Sequence, residues 1–141
     1  MRMMNRVFLI GHVGRDPQVR TTQGGQKVAN FTLATTESWR DAEGQRQERT
    51  EWHRVVAFGD LADFAEKYIH KGRFILVEGR LRTRQYTDSQ GVTRHVTEVI
   101  ARDIGFLEPR PEAPVEPLPV LAEVPPDEAP PPPFDDLAFL A

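Results

Sequence analysis

Thr50 to Gly59 reads TEWHRVVAFG, and its alternation decides the class of fold. At a period of two, Trp52, Arg54, Val56 and Phe58 share one face of a strand, with His53, Val55 and Ala57 on the other. Immediately after it the period changes. Leu61, Phe64, Ala65, Tyr68 and Ile69 recur at helical spacing, with Asp60 placed to cap and Gly72 to stop, which predicts one helix of about three turns. Arg73 to Tyr86 (RFILVEGRLRTRQY) returns to strand, Thr87 to Gly91 (TDSQG) turns, and Val92 to Leu107 is the last strand. Upstream of Thr50, the polar stretch Arg40 to Arg49 (RDAEGQRQER) reads as a hairpin loop. Val28 to Trp39 (VANFTLATTESW) is a long threonine-rich strand whose small residues suit a tightly curved barrel wall. Asn5 to Val13 is a first strand, followed by a turn at Asp16 and Pro17 and a loop over Thr21 to Gly25.

Three strands, a helix and two strands form the element order of the five-stranded OB-fold barrel, an all-β class with one helix between strands 3 and 4. The same pattern also suits other small antiparallel barrels and α+β folds. Phe8, Phe31 and Phe74 sit among aliphatics and are expected in the core. The chain of 141 residues has room for one such domain. Eleven of the 12 prolines lie between Pro109 and Pro133, so a proline-poor body meets a proline-rich end near Leu107. Charge divides at the same place, with a net +4 through Arg110 and −7 after it. The expected divisions are a domain over residues 1–107, a disordered acidic proline-rich linker over 108–133, and a C-terminal tip over 134–141.

Several function classes are disfavoured by what the chain contains. It has no cysteine, which removes disulfides, thiolate catalysis and cysteine-ligated zinc. His12, His53, His70 and His95 are dispersed without metal-ligand spacing, and there is no Walker-type or GxGxxG glycine loop. The expectation is a non-enzymatic protein with no cofactor and no metal. The apolar run Val7 to Ile10 is too short for a signal segment or a membrane span, so no membrane partner and a cytoplasmic setting are expected.

The strand faces carry the functional signal. Arg80, Arg82, Arg84 and Tyr86 alternate onto one face, as Trp52, Arg54 and Phe58 do on the third strand. Trp39, with Arg40 beside it, borders the polar hairpin and extends that surface or closes the barrel end. Rings interleaved with guanidiniums are what unpaired nucleic acid requires: bases stack on rings at about 1–3 kcal/mol each, and arginines follow the phosphates. A solvated arginine face and core-packed rings are the bland alternatives. The helix carries Asp63 and Glu66 against Lys67 and Lys71, a poor match to a helix that reads a duplex groove. At the far end Phe134, Asp135, Asp136, Leu137 and Phe139 join two acids to large apolar side chains on a soluble leash, the composition of a partner-docking peptide.

Asn5 to Val7, Gly11 to Arg20 (GHVGRDPQVR), Val28 to Asp41, TEWHRVVAFG, Tyr68 to Gly72 and Val77 to Thr87 (VEGRLRTRQYT) together resemble the bacterial single-stranded DNA-binding protein family, which includes phage- and plasmid-encoded members. The likeness runs in order from about residue 4 to 107. It implies the OB fold and sequence-independent protection of single-stranded DNA in replication, recombination and repair, with nucleoid association. It also implies stacking by Trp39, Trp52, Phe58 and Tyr86, the last standing where the family commonly has tryptophan. Arg40, Arg54, Arg80, Arg82 and Arg84 are the expected phosphate contacts. By the same resemblance His53 belongs to a subunit contact, the assembly is a homotetramer, and replication, recombination and repair proteins dock on the tip. Here the family-like Phe134 to Phe139 (FDDLAF) is followed by Leu140 and Ala141, a departure that affects the docking register. An OB-fold adaptor that mainly binds proteins, and an RNA-binding chaperone, are the alternative functions.

Overall fold

The computed structural model describes residues 1–108. All of the linker beyond Glu108, and the whole 134–141 tip, lie outside the described residues. In chain order the elements are β1 (Val7–Val13), β2 (Gln18–Thr21), β3 (Lys27–Arg40), β4 (Arg46–Phe58), α1 (Asp60–Tyr68), β5 (Phe74–Thr87) and β6 (Thr93–Phe106).

The ladder runs β1-β5-β6-β4-β3-β2, and β1 also pairs with β3, so five strands close on themselves while β2 rides on the flank of β3. Closure removes the exposed strand edges that an open sheet would leave. Every pairing is antiparallel except β4 with β6, which meet through Val55 opposite Val99 and Val56 opposite Ile100. The barrel is thus the expected five-stranded OB fold, with α1 between its third and fourth strands, β4 and β5.

Alternation sorts the side chains. The inward positions Ala29, Phe31 and Leu33 of β3 meet Val55 and Ala57 of β4, Ile75 and Val77 of β5, and Val99 and Ala101 of β6. Ala62, Ala65 and Ile69 of the helical segment add its apolar face to that core. Each fully buried Val, Leu or Ile contributes about 1.5–3 kcal/mol relative to exposure, so this inner set carries the fold. Phe31 is 5% exposed and enters the core as expected, whereas Phe8 is 62% exposed on the outer face of β1. Phe74 takes an intermediate position, stacked on the His12 ring at 4.8 Å between centroids.

Several boundaries differ from the sequence expectation. The first strand begins at Val7, and Asn5 replaces a ladder step with its side chain: Nδ2 donates to Leu81 O and Leu81 N donates to Oδ1, both at 2.9 Å. The helix spans nine residues from Asp60, and its N-cap is Gly59, with no side-chain cap bond. Strand β2 was not expected. Half of the supposed loop at Arg40 to Arg49 is strand, because β3 and β4 stay paired to Arg40 opposite Arg46. Only the tip turns: the Asp41 carboxylate accepts from Glu43 N and Gln45 N at 2.9 Å, and Gly44 takes a φ of 79°. Asp88 and Gly91 repeat the device at the end of β5 and β6, with bonds from Gln90 N and Val92 N and a φ of 79°. Both hairpins therefore continue past the barrel as exposed two-stranded arms. A register shift between Glu78 and Gly79 bends β5 toward its arm, and a side chain at Gly79 would strike the Ile100 carbonyl.

Candidate nucleic-acid interface

The outward positions of the same ladder form one surface. On β4 they are Trp52, Arg54, Val56 and Phe58, and opposite them on β3 stand Ala34, Thr32, Asn30 and Val28. Across the parallel seam the face continues through Ile100 and Glu98 of β6 to Arg80 and Arg82 of β5, and outward to Arg84 and Tyr86. The structure thus brings together Trp52, Phe58, Tyr86, Arg54, Arg80, Arg82 and Arg84 on one wall.

Val28, Val56 and Ile100 make a second hydrophobic cluster outside the barrel core, and Phe58 packs against it. The cluster is an apolar floor with a half-buried ring at its rim. Trp52 owes its position to a glycine: a Cβ on Gly14 would lie 2.5 Å from Trp52 Cζ3 and 2.7 Å from Thr32 Oγ1. Gly14, just past the end of β1, is the seat of the indole. Strand β2 adds the exposed Arg20 opposite Val28. Its contribution escaped sequence reasoning because β2 itself did.

Glu98 was also missed, although a lone carboxylate within the apolar run Val96 to Ala101 was the available signal. It is 2% exposed, and both carboxylate oxygens accept from Arg84 Nε, at 3.2 and 3.3 Å. Burial pushes its carboxyl above the usual value, while Arg84, Arg54 and Arg82 pull it down. The Arg84 guanidinium carbon lies 6.0 Å from the centre of the Tyr86 ring.

Trp39 and Arg40 stand apart on the β3–β4 arm. Trp39 is 46% exposed, and the alternation of the ladder turns it to the arm face opposite that of Trp52, with Arg40 at the arm's end. His53 faces away from the Trp52 surface and is half-buried, its Nε2 within 2.8 Å of Thr35 Oγ1. Burial lowers its pKa, and the Glu51 charge opposes that effect. Phe134, Asp135, Asp136, Leu137 and Phe139 lie outside the described residues.

The family model described as "Single-strand binding protein family" matches residues 4–107. "Single-stranded DNA-binding protein 1" of Chlorobaculum tepidum is 50% identical over 107 residues, spanning 75% of this chain and 66% of that protein. A solved structure described as "Plasmodium falciparum SSB complex with ssDNA" is similar at 37% identity and a TM-score of 0.70, over 77% of this chain and 98% of that one. A deletion mutant of the single-stranded DNA binding protein from Thermus aquaticus is 36% identical with a TM-score of 0.65, over 76% of this chain and 52% of that one. Since the family match runs unbroken from ahead of β1 to the end of β6, the chain belongs to the single-strand binding protein family.

Proposed function

We propose that this protein is a sequence-independent coat for single-stranded DNA in replication, recombination and repair, a binding protein and not an enzyme. The observation that carries the reading is the outer wall of β4, β5 and β6, where Phe58 packs on an apolar floor and Trp52 and Tyr86 share its face with Arg54, Arg80 and Arg82. Bases lie on the rings and floor only when they are unpaired, so a duplex must open before the surface is used. The mechanism is differential binding: about 1–3 kcal/mol per stacked base is available to a single strand and withheld from a duplex. Arg40, Arg54, Arg80 and Arg82 neutralise phosphates along the path, and Trp39 carries it around the β3–β4 arm. The description of the Plasmodium relative as a complex with ssDNA supports the substrate class.

The functional domain is residues 1–107, the 108–133 segment is a leash, and the 134–141 tip docks replication, recombination and repair proteins in a cytoplasmic, nucleoid-associated setting. Assembly as a homotetramer is supported by the outer face of β1, where Phe8 and Ile10 are 62% and 53% exposed, an apolar surface suited to burial against a second copy. His53 belongs to that assembly in this reading. A fluorescence titration with oligo-dT, oligo-rU and a duplex tests the function. Tryptophan quenching and tight binding by oligo-dT alone are expected. Equal or tighter binding of oligo-rU would move the assignment to an RNA chaperone, and no quenching by any of them would leave an adaptor that binds proteins.

A further inference from the structure

Among the described residues one charged side chain is buried, and it lies in the middle of the proposed DNA wall. The side chain of Glu98 is 1% exposed and that of its partner Arg84 10%. The register surrounds the same carboxylate with two further guanidiniums: Arg82 is directly opposite on β5, and Arg54 stands one step along β4 from the Val55 and Val99 pair. Stability does not account for this arrangement, because a buried ion pair is often matched or bettered by apolar side chains of the same volume. Its effect on the wall's charge does. A cation that meets phosphate adds about 0.7 to the slope of log affinity against log salt for a single strand. Arg84, neutralised and nearly buried, has little to offer a phosphate, whereas its guanidinium stands 6.0 Å from the centre of the Tyr86 ring.

We propose that Glu98 is a specificity-determining residue of this wall: it withdraws Arg84 from phosphate binding and fixes it as a support for the Tyr86 arm, so that grip depends on rings more than on charge. A wall built this way prefers unpaired bases to polyanions that offer charge alone, such as duplex DNA or heparin. A neutral residue at the same place would free the guanidinium cluster to bind any of them. The inference rests on the reading of the wall as a single-stranded DNA surface, and Glu98 acts through Arg84 as a positioning residue.

The test uses the full chain with oligo-dT and heparin as probes, following tryptophan fluorescence and competition across a salt series. Glu98→Gln keeps the shape and a hydrogen-bond acceptor for Arg84 but removes the charge. Its oligo-dT slope should steepen by about 0.7. Its preference for oligo-dT over heparin should fall by about 1.4- to 5-fold, the range of one newly exposed charge pair. Adding Arg84→Gln should return the slope to the wild-type value while overall affinity falls, because the arm has lost its ion pair. An unchanged slope and preference in Glu98→Gln would overturn the proposal. So would a double variant whose slope is about 0.7 shallower than wild type, since Arg84 would then have met phosphate all along. If Glu98→Gln does not fold, the double variant, which buries no unpaired charge, decides alone by the same slope. Wild-type protein that shows no quenching with oligo-dT would instead refute the proposed function, an outcome distinct from quenching with unaltered variant slopes.

Discussion

Gly14→Ala tests whether the Trp52 ring reads bases from a seat built for it. The φ of Gly14 is not positive, so alanine meets no backbone strain. Its Cβ, however, would arrive 2.5 Å from Trp52 Cζ3, where carbon atoms in contact prefer about 3.5–4.0 Å. The indole therefore moves by roughly 1 Å, and being half-buried it swings outward in preference to straining the barrel. A radial gap of about 0.5–1 Å forfeits a quarter to a half of a dispersion well. Applied to a stack of about 1–3 kcal/mol, the loss is about 0.3–1.5 kcal/mol, or roughly 1.5- to 13-fold in affinity for oligo-dT. Complete removal in Trp52→Ala sets the upper limit, about 5- to 150-fold. Urea unfolding should show Gly14→Ala losing less than the roughly 1–3 kcal/mol of a trapped overpacked side chain. The decisive measurement is the double variant. Gly14→Ala should cost no further affinity once Trp52 is alanine, and an equal loss in both backgrounds would show that the glycine acts through its backbone, sinking the seat argument.

Three further outcomes are expected. Arg80→Gln should make the oligo-dT salt slope shallower by about 0.7, and an unaltered slope would place the phosphate path elsewhere. Burial holds His53 below the ordinary histidine pKa, so the unfolded chain binds the proton more readily; its stability contribution is complete above about pH 6.5 and is lost as pH falls from there through the depressed folded value. His53→Gln should flatten urea stability across that window and loosen the assembly in sedimentation equilibrium, and tetramers as tight as wild type would count against a role at the subunit contact. Deleting Phe134 to Ala141 should tighten oligo-dT binding slightly at low salt, with the gain fading once the Debye length shrinks to roughly 8 Å, and should abolish docking of repair proteins in calorimetry. Partner affinity that survives the deletion would leave the tail a solubilising leash.

The sequence made the barrel legible because its core is written in period two. Val55 and Ala57 go inward while Val56 and Phe58 go outward, and a single strand suffices to show both faces. The rings and arginines of β4 and β5 were legible for the same reason. What alternation cannot express is which residue lies across a ladder. Gln18 to Thr21 looks like loop until Asn30, Ala29 and Val28 of β3 are placed opposite it, and Arg20 joins the wall only then. The Arg40 to Arg49 stretch has loop composition, yet Arg46 to Arg49 continue as ribbon opposite Glu37 to Arg40, next to the Thr36 and Thr50 hydroxyls 3.1 Å apart. Gly14 and Glu98 are invisible for a related reason, since their meaning depends on Trp52 and Arg84, 38 and 14 positions away. Phe8 shows the converse error: an aromatic among aliphatics was expected inside, but position 8 has the outward parity of β1.

The parallel contact of β4 with β6 is two residue pairs long, and that of β1 with β3 is equally short. The two long hairpins, by contrast, are paired along nearly their whole length. In mechanical terms the barrel is a pair of stiff plates joined along two narrow welds. Bending compliance concentrates in the welds, one of which passes beneath the apolar floor between Val56 and Ile100. On the proposed function, a DNA strand crossing from Trp52 to Tyr86 would span a flexure: the spacing of groups within each plate would be preserved, while the angle between plates would adjust to the rise and curvature of the bases laid across it.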